Sequence, residues 1–212
     1  MLAHGAALVI TMYQPHHCAR CALPKLACVC SVLPVIANRT RVTIVRHHSE
    51  RFRSSNTGRL AGLALANCEV LDYGAPDSVG GLHAAHAVEL QPLAGAMLLF
   101  PTGEVQTCAP VPLPTQLIVL DATWSQARRM WQKLQVLRGL PTLRLPEVAV
   151  AAPRMRKSPG PGHVSTIEAI AAALRLLEGE AIAAPLETLF AQAVDHMRAI
   201  GRNGIAARPM QP

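Results

Sequence analysis

At 212 residues the chain can bury one sizeable core, and its length favours a single domain with a small appendage. Half of the residues are hydrophobic but only 3% are aromatic, so the core must be built from Ala, Leu, Val and Ile. Lys and Arg outnumber Asp and Glu by 20 to 13, a formal charge of +7 that suits a polyanionic partner or a merely solvated surface, and no apolar run approaches the roughly 18 residues of a membrane span.

The short apolar stretch 6–12 has no basic region before it, and Gln14, Pro15, His16 and His17 follow it instead of a small-residue cleavage site. It reads poorly as a signal peptide, so a cytoplasmic protein is expected, with Met12 as an alternative start. In that reducing compartment the six cysteines are expected as thiols or metal ligands.

Cys18, Cys21, Cys28 and Cys30 put four soft ligands within thirteen residues, and Pro24 bends the chain between the pairs. Tetrahedral zinc suits this set, and four thiolates leave no open position, so the metal is expected to be structural. Ligation supplements the folding of a segment with almost no core of its own. His16 or His17 is an alternative fourth ligand. A redox role for the first pair is weaker, because a thioredoxin-like motif has no second pair beside it. Cys68 and Cys108 read as buried packing residues or inert thiols.

Short apolar runs then alternate with helical patterns, which predicts an α/β domain. Strands are expected at 42–45, 69–73, 97–100, 117–120 and 142–145, and their continuous apolar character predicts a mostly parallel sheet with helices on both faces. A helix is expected over 55–67, capped by its Ser-Ser-Asn start, and another over 124–137 with Ala127, Met130, Trp131, Leu134 and Leu137 on one stripe. Ser165, Thr166, Ile167 and Glu168 form a capping box, behind which Ile167, Ile170, Ala171, Leu174 and Leu177 make a buried face. A last helix is expected over 186–200, closed by Gly201. The stretch 75–95 has no clear period. The boundaries that follow are a cysteine segment at 12–38, an α/β domain at 39–201 and a flexible tail at 202–212.

The apolar run ending at Leu120 leads directly into Asp121, Ala122, Thr123 and Trp124, so a carboxylate sits where a strand ends and a helix begins. Ligands collect at that edge of open α/β sheets. Capping of the following helix is the competing explanation for Asp121.

Asp121-Ala122-Thr123-Trp124 resembles the D-x-T-W signature of the DTW-domain family. The thiol cluster, Arg46-His47-His48-Ser49-Glu50-Arg51, Ser55-Asn56-Thr57-Gly58-Arg59-Leu60, Leu98-Leu99-Phe100-Pro101, and Arg156-Lys157 before Ser165-Thr166-Ile167-Glu168-Ala169 also resemble it, in the family's order. The family includes tRNA-uridine aminocarboxypropyltransferases and is related to the SPOUT class. That kinship implies a SPOUT-like fold with a C-terminal knot, against general topology rules. Ala122, where the family usually has Gly, and Pro153-Arg154-Met155-Arg156, in place of a longer Tyr-containing approach, depart from the pattern.

The resemblance implies transfer of a 3-amino-3-carboxypropyl group from S-adenosylmethionine to a uridine imide nitrogen in tRNA. Asp121 is then the candidate catalytic residue, as a general base or as a group orienting a reactant. Donor contacts are expected from Leu99, Phe100, Pro101, Thr102, Leu120, Thr123 and Trp124, with Ser165, Thr166 and Glu168 at a helix start suited to a carboxylate. Packing alone is the alternative for Trp124, and capping alone for Thr166 and Glu168. RNA contacts are expected from Arg46, Arg51, Arg53, Asn56 and Arg59, and from Arg154, Arg156 and Lys157 in a Pro/Gly-rich loop. His47 and His48 read equally as base contacts or structure. The rival readings are a SPOUT-like RNA methyltransferase and a non-catalytic zinc-containing RNA-binding module.

Overall fold

The computed structural model describes residues 16–74, 89–147, 155 and 163–201. Five parallel strands, β1 (Arg41–His47), β2 (Cys68–Tyr73), β3 (Ala96–Leu99), β4 (Gln116–Asp121) and β5 (Thr142–Leu143), lie in the order β2-β1-β4-β3-β5. All six residues of β4 are buried, the pattern of a strand covered on both faces. β5 is two residues shorter than expected, because Arg144 leaves the ladder to bridge Val105.

Among the described residues four helices cover the sheet: α1 (Thr57–Ala64), α2 (Trp124–Lys133), α3 (Thr166–Glu178) and α4 (Glu180–Ala199). Alternation along the strands divides the core. Val42, Ile44, Leu117, Val119 and Leu143 face α1, α3 and α4, whereas Val45, Leu98, Ile118 and Leu120 face Ala127, Met130, Leu134 and Leu137 of α2 and the short turn beyond it. The expected stripes of α2 and α3 are the faces they bury.

The last helix begins six residues before its expected start. Pro185 reads as a stop in sequence, but it sits in the second turn of α4, where its missing N–H removes one bond from a helix of 20 residues. Burial of Ala183, Leu186, Leu189, Phe190, Ala193 and Val194 outweighs that loss. Gly179, at φ 99°, makes the break between α3 and α4.

The cysteine segment is built from tight turns, yet Cys21, Leu23, Ala27 and Val29 are almost wholly buried in the core that contains α1, α3 and α4. No helix of the described residues is long and apolar enough to cross a membrane. Met155 is the only described residue between 148 and 162, so the implied C-terminal knot, the RNA candidates Arg154, Arg156 and Lys157, and the tail at 202–212 lie outside the described residues.

The order β2-β1-β4-β3-β5 makes a switch point between β1 and β4. From β1 the chain runs through α1 to β2, and from β4 it runs through α2, on the opposite face, to β5 beyond β3. Their carboxyl ends therefore diverge, which leaves the crevice where parallel sheets bind ligands.

Candidate active site

Arg46 and Asp121 are register partners at that crevice, the last paired positions of β1 and β4. Asp121 shares the parity of Leu117 and Val119, so its side chain points toward α1 and α3. It is 3% exposed. Asn56 Nδ2 donates to its Oδ2 at 2.5 Å, and Thr166 Oγ1 donates to its Oδ1 at 2.6 Å. The carboxylate thus lies between the first turns of two helices, whose partial positive charge favours an anion. Burial pushes the Asp121 carboxyl above its ordinary value, while the Thr166 and Asn56 hydrogen bonds pull the other way.

Capping is not the work of Asp121. α2 is capped by Thr123, whose hydroxyl accepts from Gln126 N–H while the Gln126 side chain accepts from Thr123 N–H at 3.0 Å. The sequence pattern Thr-x-x-Gln carries that signal, and Asp121 is left to reach across the sheet edge. Asn56 serves twice, since its Oδ1 also accepts from Arg59 N–H at 2.8 Å and caps α1. It is 3% exposed and both ends of its amide are engaged within the protein.

Gly58 explains itself at this point. A Cβ built there would lie 2.6 Å from Asp121 Cγ and 2.6 Å from its Oδ2. An Ala substitution inside a helix ordinarily stabilises by up to about 1 kcal/mol. Here the sign reverses: Gly58→Ala is expected to destabilise by about 1–3 kcal/mol, the range for overpacking, read as a fall in thermal midpoint. An unchanged or raised midpoint would show that the clamp around Asp121 is loose.

The donor candidates gather at the same edge. Leu99 ends β3, Phe100, Pro101 and Thr102 follow it, and Leu120, Thr123 and Trp124 end β4 or start α2, its neighbour in sequence. Thr166 brings Ser165 and Glu168 to them, and Glu168 Oε2 accepts from Ser165 N–H at 2.7 Å in the expected capping box. Both tryptophans are half-buried, but Trp131 packs on the core and on Phe100 with ring centroids 5.0 Å apart, whereas Trp124 meets His163 edge-on at 4.6 Å. The aromatic packing role therefore falls on Trp131 more than on Trp124. His47 is half-buried, its Nδ1 2.8 Å from Ser49 Oγ, and His48 is exposed.

The arginines divide by partner. Arg46 Nε is 2.7 Å from Asp72 Oδ1, and Arg51 Nε is 3.5 Å from Asp72 Oδ2. Arg53 pairs with Glu50 at 3.3 Å. Asp72 escaped the sequence reading, although it stands near the end of β2 as Asp121 stands at the end of β4. Arg59 donates to the backbone carbonyl of Arg51, and no carboxylate among the described residues pairs with it.

The four thiols form the second assembly. Cys18 and Cys30 Sγ are 3.6 Å apart, Cys21 and Cys28 Sγ are 3.8 Å apart, and all four atoms lie within 4.8 Å of one another. Thiolates about 2.3 Å from a tetrahedral metal stand roughly 3.8 Å from each other, so the set fits one ion with little rearrangement. Burial works to raise the Cys18 thiol, but backbone N–H groups of Cys21 and Arg20 and the neighbouring thiols of Cys28 and Cys30 bring it down to about 6. His16 and His17 lie outside this group of four thiols.

The DTW domain profile matches residues 15–198. Among curated proteins the chain is similar to tRNA-uridine aminocarboxypropyltransferase 2 of Mus musculus, 28% identical over 91% of this chain and 71% of that protein. It is 26% identical to the proteins of that name from Drosophila melanogaster, over 84% of this chain and 75% of the relative, and from Macaca fascicularis, over 91% and 71%. No solved structure matches.

Proposed function

Because the chain belongs to the DTW-domain family, we propose that it is an S-adenosylmethionine-dependent tRNA-uridine aminocarboxypropyltransferase. The observation that carries this reading is the D-x-T-W strand end at the switch point of a parallel sheet, where Asp121 joins the first turns of α1 and α3.

The uridine N3 lone pair attacks the γ-carbon of the donor's methionine arm, and the N3–Cγ bond forms as the Cγ–S bond breaks. The electron pair goes to sulfur, methylthioadenosine leaves, and the N3 proton passes to water. Orientation decides which of three electrophilic carbons reacts. Asp121 is assigned to that orientation, since its carboxylate is almost wholly buried and anchored by Asn56 and Thr166. It fixes Thr57, Gly58, Ser165 and Thr166, whose helix starts suit the donor's carboxylate. Leu99, Phe100, Pro101, Thr102, Leu120, Thr123, Trp124 and Glu168 complete the donor contacts. Arg46, Arg51, Arg53 and Arg59, with Arg154, Arg156 and Lys157, are assigned to RNA contacts. Zinc is the ion that four thiolates suit, and it supplies structure there.

The by-product tests the reaction type. With tRNA present, the expected small product is methylthioadenosine in step with tRNA modification. S-adenosylhomocysteine instead would make the protein a methyltransferase, and the absence of both with intact tRNA binding would leave a non-catalytic RNA-binding module.

A further inference from the structure

Asp72, Arg46 and Asp121 form a row across β2, β1 and β4, all on the face that α1 covers. The first turn of α1 lays Arg59 over this row, and the preceding loop adds Arg51. Arg46 and Arg51 share one carboxylate, Asp72, while the Asp121 oxygens are engaged by Asn56 and Thr166. The count among these groups is three guanidiniums to two carboxylates.

The excess charge is localised on Arg59. Its Nε is buried with no hydrogen-bond partner, and burial together with the nearby Arg46 and Arg51 lowers its ordinarily very high pKa, against the pull of Asp72. The guanidinium is only half-buried and its Nη2 bond to Arg51 is exposed, so an acceptor from outside the protein can reach its outer N–H groups while the Nε–H stays unsatisfied. Arg46 and Asp72 are held against each other at 2.7 Å and form a floor, while Arg51, also paired with Asp72 at 3.5 Å, is 47% exposed. Planar donors gathered on a half-buried ion pair match the oxygens of a tetrahedral phosphate.

We propose that Arg51 and Arg59, seated on the Arg46–Asp72 pair, hold one phosphodiester of the RNA strand adjacent to the reacting uridine. The site lies one strand away from Asp121. A nucleotide whose phosphate docks here can extend its base toward the crevice between β1 and β4. This inference rests on the reading of RNA as substrate.

The test is tRNA binding across a salt series, for the wild-type protein and for Arg51→Gln, Arg59→Gln and the charge-conserving Arg59→Lys, with Arg39→Gln as an exposed arginine outside the cluster. Arg59→Gln and Arg51→Gln should each weaken binding roughly ten-fold and flatten the slope of log K against log salt by about one unit. Arg59→Lys should keep the slope, and Arg39→Gln should keep both. Donor affinity should stay unchanged in every variant. A tRNA carrying a neutral methylphosphonate beside the target uridine should bind wild type more weakly and Arg59→Gln no worse than ordinary tRNA. If wild type binds tRNA but the Arg59 and Arg51 variants keep its slope, the phosphate seat is wrong while the RNA reading stands. Loss of donor affinity instead would assign the cluster to the donor's carboxylate. A wild-type protein that binds no tRNA would overturn both readings.

Discussion

Asp121→Asn is expected to lower the rate of transfer by about 100-fold or more while leaving tRNA affinity within a factor of a few. The magnitude follows from geometry, since displacement of a reacting group by about 1 Å is enough for such a loss. Asp121 accepts from Asn56 Nδ2 and Thr166 Oγ1, and an amide can satisfy only one of those donors without turning its own NH2 against the other. One helix start then loses its anchor. Asp121→Ala leaves both donors buried without an acceptor and should in addition destabilise the fold by about 1–3 kcal/mol. A reversal separates orientation from proton transfer. In the double variant Asn56→Asp with Asp121→Asn, donor and acceptor change places, and the carboxylate introduced at position 56 still accepts from Arg59 N–H and caps α1. If residue 121 orients the helix starts, the double variant should regain at least ten-fold over Asp121→Asn alone. If the carboxylate at 121 itself takes the uridine proton, nothing returns.

Removal of metal is the second large effect. Cys21, Leu23, Ala27 and Val29 are at most 1% exposed, although their segment contains only short turns. Few internal hydrogen bonds hold it, among them Cys18 N to Leu23 O at 2.8 Å and Lys25 N to His16 O at 2.9 Å. Ordering so short a segment is opposed by chain entropy, and a bound ion offsets that directly. The protein should carry one zinc per chain. Stripping it with a strong chelator, or replacing Cys28 with Ser, should lower the thermal midpoint by roughly 10 °C or more, given that each kcal/mol shifts a chain of this size by about 2–4 °C. Limited proteolysis should then cut first between residues 16 and 38. Cys68→Ser should retain the metal, because Cys68 is outside the ligand set. A metal-free protein with the same midpoint and protease pattern would show that the thiols have no structural ion.

What could be read from the sequence was whatever depends on near neighbours. The strands announced themselves as apolar runs because both sheet faces are covered, and α3 because its capping box and its buried stripe agree. Four cysteines within thirteen residues needed no fold to be brought together. The start of α4 was hidden because Pro185 is a local stop signal that distant packing overrides. The site was hidden in the same way. Asp121 is legible as a carboxylate at a strand end, but its partners are 65 and 45 residues away in the chain, and nothing in one sequence couples them. Asn56 looked like a polar companion of the arginines around it, and only the fold turns it inward. Asp72 carried no motif and gains its meaning from β1, its neighbour in the sheet.

Transfer of the amino-acid arm to a uridine is the central claim, and the mass of the modified nucleoside tests it most directly. After incubation of the zinc-loaded protein with unmodified tRNA and S-adenosylmethionine, digestion should yield a uridine heavier by one aminocarboxypropyl group, with none formed by Asp121→Ala. A uridine heavier by a methyl group, or a tRNA whose nucleosides are all unchanged, would contradict it.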